Sequence, residues 1–176
     1  MVVDIQKNVL SIIILAILYI SLIRHLNWKE YLNKVFLYLI WFNIACIFLD
    51  SMIMITSGDQ TIFASVILYF SVGLYYIIAP MVALMWLHYV EFTINPESKK
   101  IFKFFIPSIF IFINFIFVIL SYGNGMIFNI NNQNEFTRGN LFFITGTISA
   151  FILIYSMVLI YLHKSSIRKQ EYVPLM

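Results

Sequence analysis

Long apolar runs separated by short polar punctuation dominate the chain, at about 9–26, 35–56, 62–90, 104–120 and 141–162. A helix needs about 20 mostly apolar residues to cross roughly 30 Å of hydrocarbon at 1.5 Å per residue. The pattern therefore predicts an all-α polytopic bundle of five transmembrane helices, formed by residues 1–176 as a single unit. Ser57-Gly58-Asp59 closes the second run with turn-forming residues. The third run is too long to stand upright, so it is expected to tilt, to kink at Pro80, or to project its last turn into the headgroups. Segment 121–140 departs from this pattern, being rich in Asn and Gly with interleaved apolar residues. From Ile127 to Phe136 it alternates around Asn131-Asn132, a pair able to take the positive φ of a tight turn, which predicts a small hairpin on the mouth of the bundle.

Composition strengthens this picture. Of 176 residues, 62% are hydrophobic and 11% charged, and the mean hydropathy is +0.92. A water-soluble domain carries about one-quarter charged residues and could not hide so much apolar surface. The net charge of +3 resides in short loops and forms no basic face, so nucleic acid is excluded as a partner and the lipid bilayer is the expected one.

The basic residues orient the bundle. Arg24, Lys29, Lys34, Lys99, Lys100, Lys103, Lys164, Arg168 and Lys169 fall on one side, and Lys7 and Arg138 on the other. Nine against two makes the first side cytoplasmic, with the N-terminus and loop 121–140 outside and a tail at 163–176 inside. Trp28, Trp86 and Tyr89 then fall near the inner interface. The first run, flanked by Lys7 and Arg24-His25 without a small-residue cleavage site, reads as a retained anchor. The lone Cys46 sits in an apolar run and behaves as a small hydrophobe.

Candidate chemistry is sparse. Asp50 is the acidic residue within a predicted span, at a cost of about 2.5 to 3.5 kcal/mol at mid-membrane and less toward the interface. Asn43, Cys46 and Asp50 share a helical face, so an interhelical polar stripe is one compensation, and snorkelling to water is the other. Arg138, at the entrance to the fifth helix, is placed to reach Asp50 or a lipid phosphate. His88 and Glu91 share a face, but two ligands without a third make an interfacial polar pair the better reading than a metal site. His25 and His163 mark helix boundaries. Thr145, Ser149 and Ser156 form a polar stripe, Gly146 and Ala150 a small-xxx-small pair suited to close packing, and Asn114 needs a partner across the bundle. Metalloprotease, nucleophile-elbow, phosphate-loop and CxxC signatures are missing, so no enzyme, cofactor or metal is expected.

Gly125-x-x-Phe128-x-Ile130, followed by Asn134-x-Phe136-x-Arg138-Gly139-x-Leu141 entering a helix, resembles the N-terminal multi-helix sensor region of Firmicute signalling proteins. Phe42-Asn43 leading to Asp50, Trp86 with Tyr89-Val90-Glu91, and Glu171-Tyr172-Val173-Pro174-Leu175 extend the resemblance over most of the chain. Phe136 stands where that family more often has Tyr, and Asn140 where it often has Pro. In the family, seven helices precede a cytoplasmic GGDEF diguanylate cyclase or histidine kinase. The resemblance therefore implies a fragment or short relative of such a receptor. It would sense an extracytoplasmic or membrane signal and pass it to a cytoplasmic signalling domain or protein, with a second copy of the chain, in a homodimer, as a further candidate partner. The sensing residues this implies, with the polar stripe, are Asn43, Asp50, Phe128, Asn134, Phe136, Arg138 and Gly139. A small transporter or channel subunit, with Asn43, Asp50, Asn114 and Thr145 lining a path, is the alternative. Repeated halves and broken helix pairs, which would favour it, are absent from the sequence.

Overall fold

A computed structural model describes residues 2–25, 31–94 and 102–163. Trp28, Lys29, Lys99, Lys100, Lys164, Arg168, Lys169 and the run Glu171 to Leu175 lie outside these residues. The described residues form five helices and one hairpin: α1 (Val2–His25), α2 (Tyr31–Thr56), α3 (Ile62–Ile94), α4 (Phe102–Asn124), β1 (Phe128–Ile130), β2 (Phe136–Arg138) and α5 (Phe143–Leu162). Helices α2, α3, α5 and the Pro107–Asn124 part of α4 are each long and apolar enough to cross a membrane. In α1 the continuous apolar stretch, Gln6–Ser21, is shorter.

The 33-residue α3 is the central element, packed on α2 along one side and on α5 and α4 along the other. At about 50 Å it exceeds the hydrocarbon thickness, as its apolar run predicts. Its interior face is built from Leu68, Val72, Tyr76, Ala83 and Leu87. Ile17, Phe48, Phe70, Phe112, Ile154 and Met157 are exposed around the bundle. An apolar exterior of that extent fits lipid rather than water.

Two contacts fix the up-down order of the first three helices. Asn8, near the start of α1, donates to Asp50 and Ser51 near the end of α2, so these ends share a level. Tyr31, at the start of α2, lies 2.7 Å from His88 Nε2 near the end of α3, at the opposite level. The ring of Tyr19 meets Trp41 edge-on at 5.5 Å and seats α1 against α2. Tyr89 is buried against Phe36.

Several helices extend a few residues beyond their apolar runs, as α2 does back to Tyr31 and α3 on to Ile94, and both boundaries flanking the hairpin also differ from the sequence pattern. Residues 121–124, read there as the start of a loop, are the last turn of α4. Ser121 is polar, but its hydroxyl donates back to the Phe117 carbonyl and accepts from the Ile127 amide, so it does not break the helix. Gly125, at φ 65°, ends it instead. At the other side of the hairpin, α5 begins at Phe143 because the Leu141 amide is committed to the Met126 carbonyl, 2.8 Å away.

Candidate functional site

The hairpin forms where alternation predicted it, with Phe128 opposite Arg138, Asn129 opposite Thr137, and Ile130 opposite Phe136. Its turn is built differently. Neither Asn131 nor Asn132 takes positive φ; among the described non-glycine residues Asn134 alone does, at 58°. Asn131 instead folds the five-residue connection around its own side chain. Its Oδ1 accepts from the amides of Gln133 and Glu135, an Asx-type turn that makes positive φ unnecessary at Asn131 itself.

Asn134 is buried at 6% exposure and ties the hairpin to the α2–α3 connection. Its amide donates to the carbonyls of Thr56, at 3.2 Å, and Asp59, at 2.6 Å. Its own carbonyl accepts from the Gly58 amide at 2.8 Å. The Phe136 amide adds a bond to the Ser57 hydroxyl. Carbonyls left over at the end of α2 thus find donors in a segment almost eighty residues away. Phe128, 1% exposed, wedges beneath the hairpin, stacked on Tyr76 at 6.0 Å and edge-on to Tyr122 at 5.1 Å.

Below the hairpin lies a cleft of about 290 Å³ between α2, α3 and α5. Asp50 and Ile53 line it from α2, Tyr75, Tyr76 and Ala79 from α3, and Phe136 and Arg138 from β2. Phe142, Thr145, Gly146 and Ser149 complete the wall. Of the sensing residues the resemblance implies, Asp50, Phe136 and Arg138 meet here, and Thr145 and Ser149 of the fifth-helix polar stripe join them. Asn134 and Gly139 shape the hairpin above it, and Phe128 packs behind Tyr76. Asn43 stands apart, its amide donating to its own helix at the Leu39 carbonyl.

Among the described residues, no ion pair joins Asp50 to Arg138. Asp50 Oδ2 accepts from Asn8 Nδ2 at 2.9 Å, and Asn8 also reaches the Ser51 hydroxyl. The Arg138 guanidinium lies over the Phe142 ring, 5.3 Å from its centre, in cation–π geometry. Sequence reading missed Asn8, Tyr75, Tyr76 and Phe142. The available signal was modest: a polar Asn at the edge of the first run, and two adjacent tyrosines inside the third. Gly146, assigned to close packing by its spacing with Ala150, has no neighbour within 4 Å of where a Cβ would stand. It opens the cleft instead of seating a helix.

A buried polar relay crosses the bundle just beneath. Pro80 has no amide hydrogen, so the carbonyl four residues earlier, on Tyr76, loses its helical donor. Asn114 of α4 replaces it, its Nδ2 donating to the Tyr76 carbonyl at 2.9 Å, while its Oδ1 accepts from the Thr145 hydroxyl of α5 at 2.7 Å. Asn114 thereby finds the cross-bundle partners its position demanded. Asn114→Ala is expected to cost about 2 kcal/mol, because the Tyr76 carbonyl then lacks a donor in an apolar interior. In a Pro80→Ala background residue 80 supplies its own donor, so the cost of Asn114→Ala should fall by at least about 0.5 kcal/mol. Thermal unfolding of the four variants in detergent tests this, and strict additivity would refute the compensation.

Among the described residues no group of three or more His, Cys, Asp or Glu that could hold an ion includes His88 and Glu91. The His88 ring instead meets the Tyr31 hydroxyl. No family model, curated protein or solved structure matches the chain.

Proposed function

We propose that this chain is the membrane-embedded input module of a bacterial signalling protein, with the cleft beneath the hairpin as its sensing site. The observation that carries the proposal is the cleft itself. One carboxylate, one guanidinium, two tyrosines and two hydroxyl residues converge under a small, bonded roof. The roof is attached to the α2–α3 connection through Asn134 and leads directly into α5. A ligand favouring one setting of the roof would therefore bias the relative positions of α2, α3 and α5, which is what an input module requires.

In this reading the hairpin faces outward and the helix ends bearing most of the basic residues face the cytoplasm, where an output domain or partner protein receives the movement. The resemblance to Firmicute sensor regions supports the same assignment. Single cysteines placed in loop 121–140 should react with membrane-impermeant thiol reagents on intact cells, while ones at Lys99 or Arg168 should not. The reverse pattern refutes the orientation.

Function is tested by fusing the chain in frame to a diguanylate cyclase domain and measuring cyclic di-GMP in cells. Arg138→Gln, in the cleft, should shift the output, whereas Ile154→Leu, on the outer surface of α5, should leave it unchanged. Output indifferent to Arg138→Gln would overturn the sensing role of the cleft.

A further inference from the structure

We infer that the cleft takes a small peptide-like zwitterion, its ammonium group meeting Asp50 and its carboxylate meeting Arg138, with an apolar body between them. This rests on the sensor reading and deepens it by naming a ligand class.

The first argument is charge. The two poles stand at different levels: Asp50 lies six residues before the end of α2 at Thr56, about 9 Å along the helix, while Arg138 belongs to the roof. They are not joined to each other. The bond that Asp50 receives from Asn8 comes from a neutral amide, and Arg138 rests on the Phe142 ring. A carboxylate can accept about four hydrogen bonds and a guanidinium can donate five, so both retain capacity toward the cleft. A ligand with a single charge would meet one pole and leave the other without an ionic partner. A ligand with both charges, held apart by several bonds, satisfies the two together.

The second argument is the wall. Tyr75, Tyr76, Phe136 and Phe142 offer aromatic surface between the poles, suited to an apolar side chain and to an ammonium group. The third is size. At about 290 Å³ the cleft lies just under the range of roughly 300 to 1,000 Å³ typical of drug-sized ligands, which fits an occupant the size of a dipeptide.

The test uses the full chain in phosphatidylglycerol nanodiscs and isothermal titration calorimetry with three probes: Phe-Gly, Phe-Gly-amide without the carboxylate, and N-acetyl-Phe-Gly without the ammonium. Phe-Gly is expected to bind at least tenfold more tightly than either analogue. Arg138→Gln should abolish the preference over Phe-Gly-amide while keeping the preference over N-acetyl-Phe-Gly, and Asp50→Asn should do the converse. Equal affinities for the three probes, or no binding of any, would overturn the assignment. Should Asp50→Asn fail to fold, the wild-type series and the exposed Arg138→Gln decide the matter.

A phosphatidylethanolamine headgroup carries the same pair of charges. Repeating the titration in nanodiscs containing that lipid should leave the Phe-Gly affinity unchanged. A tenfold loss there would assign the cleft to the headgroup and overturn a soluble ligand. Selective Phe-Gly binding combined with an unresponsive cyclase fusion would refute the sensor reading and support the ligand class; a responsive fusion without Phe-Gly binding would do the opposite.

Discussion

Asn134→Ala is expected to destabilise the protein by about 3 kcal/mol, lowering the unfolding midpoint by about 5 to 10 °C. Two effects add. The Asp59 carbonyl loses its side-chain donor, and the Thr56 carbonyl keeps only the longer bond from the Asp59 amide, at 3.3 Å. In addition, alanine must adopt a φ of 58°, which costs an L-residue other than Gly, Asn or Asp roughly 1 to 2 kcal/mol. Comparison of two further variants separates the terms. Asn134→Gly keeps the backbone conformation and should recover about 1 kcal/mol of the loss. Asn134→Asp keeps the shape but, when ionised, presents an acceptor to two acceptors, and should be no better than alanine. Thermal unfolding in detergent, monitored by circular dichroism, checks the order Asn, Gly, Ala. An alanine variant within about 0.5 kcal/mol of wild type would show that the hairpin is not held by this residue.

Gly139→Ala should be the more damaging substitution, at more than about 3 kcal/mol, for a reason unrelated to φ. A Cβ there would run into the backbone carbonyl oxygens of Gly125 and Met126. These are main-chain atoms in the turn that ends α4, so no side-chain rotation relieves the clash. The same residue donates its amide to the Ile127 carbonyl at 2.9 Å, so a shift large enough to admit the methyl breaks the root of the hairpin. Hydrogen exchange should rise across residues 126–139, with Tyr76 and its helix much less affected. Gly146→Ala provides the contrast, since a methyl there enters open space and should leave stability within about 0.5 kcal/mol. If Gly139→Ala melts with wild type, the close approach of the two strands of chain at this point is wrong.

The apolar runs were legible because the requirement they report, a length of hydrocarbon to be crossed, is local and one-dimensional. Positions of the helix ends were less so. Ser121, Gly123 and Asn124 look like loop residues, and only the hydroxyl bonds of Ser121 and the positive φ of Gly125 place the boundary after them. The hairpin was readable from alternation, yet four asparagines lie within six residues and composition cannot say which one bends the backbone. That choice is made by the α2–α3 connection, which offers two carbonyls to Asn134 and none to Asn132.

Long-range pairings were least legible. Asp50 demanded a partner by its cost in a membrane, and Arg138 was the charge that suggested itself. The bond it makes is to Asn8, forty-two residues earlier, because α2 runs back to the level at which α1 begins. Nothing in the local pattern around residue 8 announces that meeting. The spacing of Gly146 and Ala150 matched a packing motif, but spacing says nothing about whether a neighbouring helix is present at that height.

The bond from Asn114 to the Tyr76 carbonyl bears on how this bundle can move. An axial slide of α4 past α3, even by a fraction of the 5.4 Å pitch, would carry the amide away and strand a carbonyl in hydrocarbon, at a cost of several kcal/mol. Tilting of the two helices about that point keeps the bond. Pro80 thus sets the level at which α4 is bonded to the interior of α3, and Tyr122 of α4 adds a second bond to the Tyr69 carbonyl, 3.0 Å away, nearer the hairpin. The hairpin, stacked on the Tyr76 ring through Phe128, and α4, bonded to the Tyr76 carbonyl through Asn114, are thus both tied to α3 at one residue.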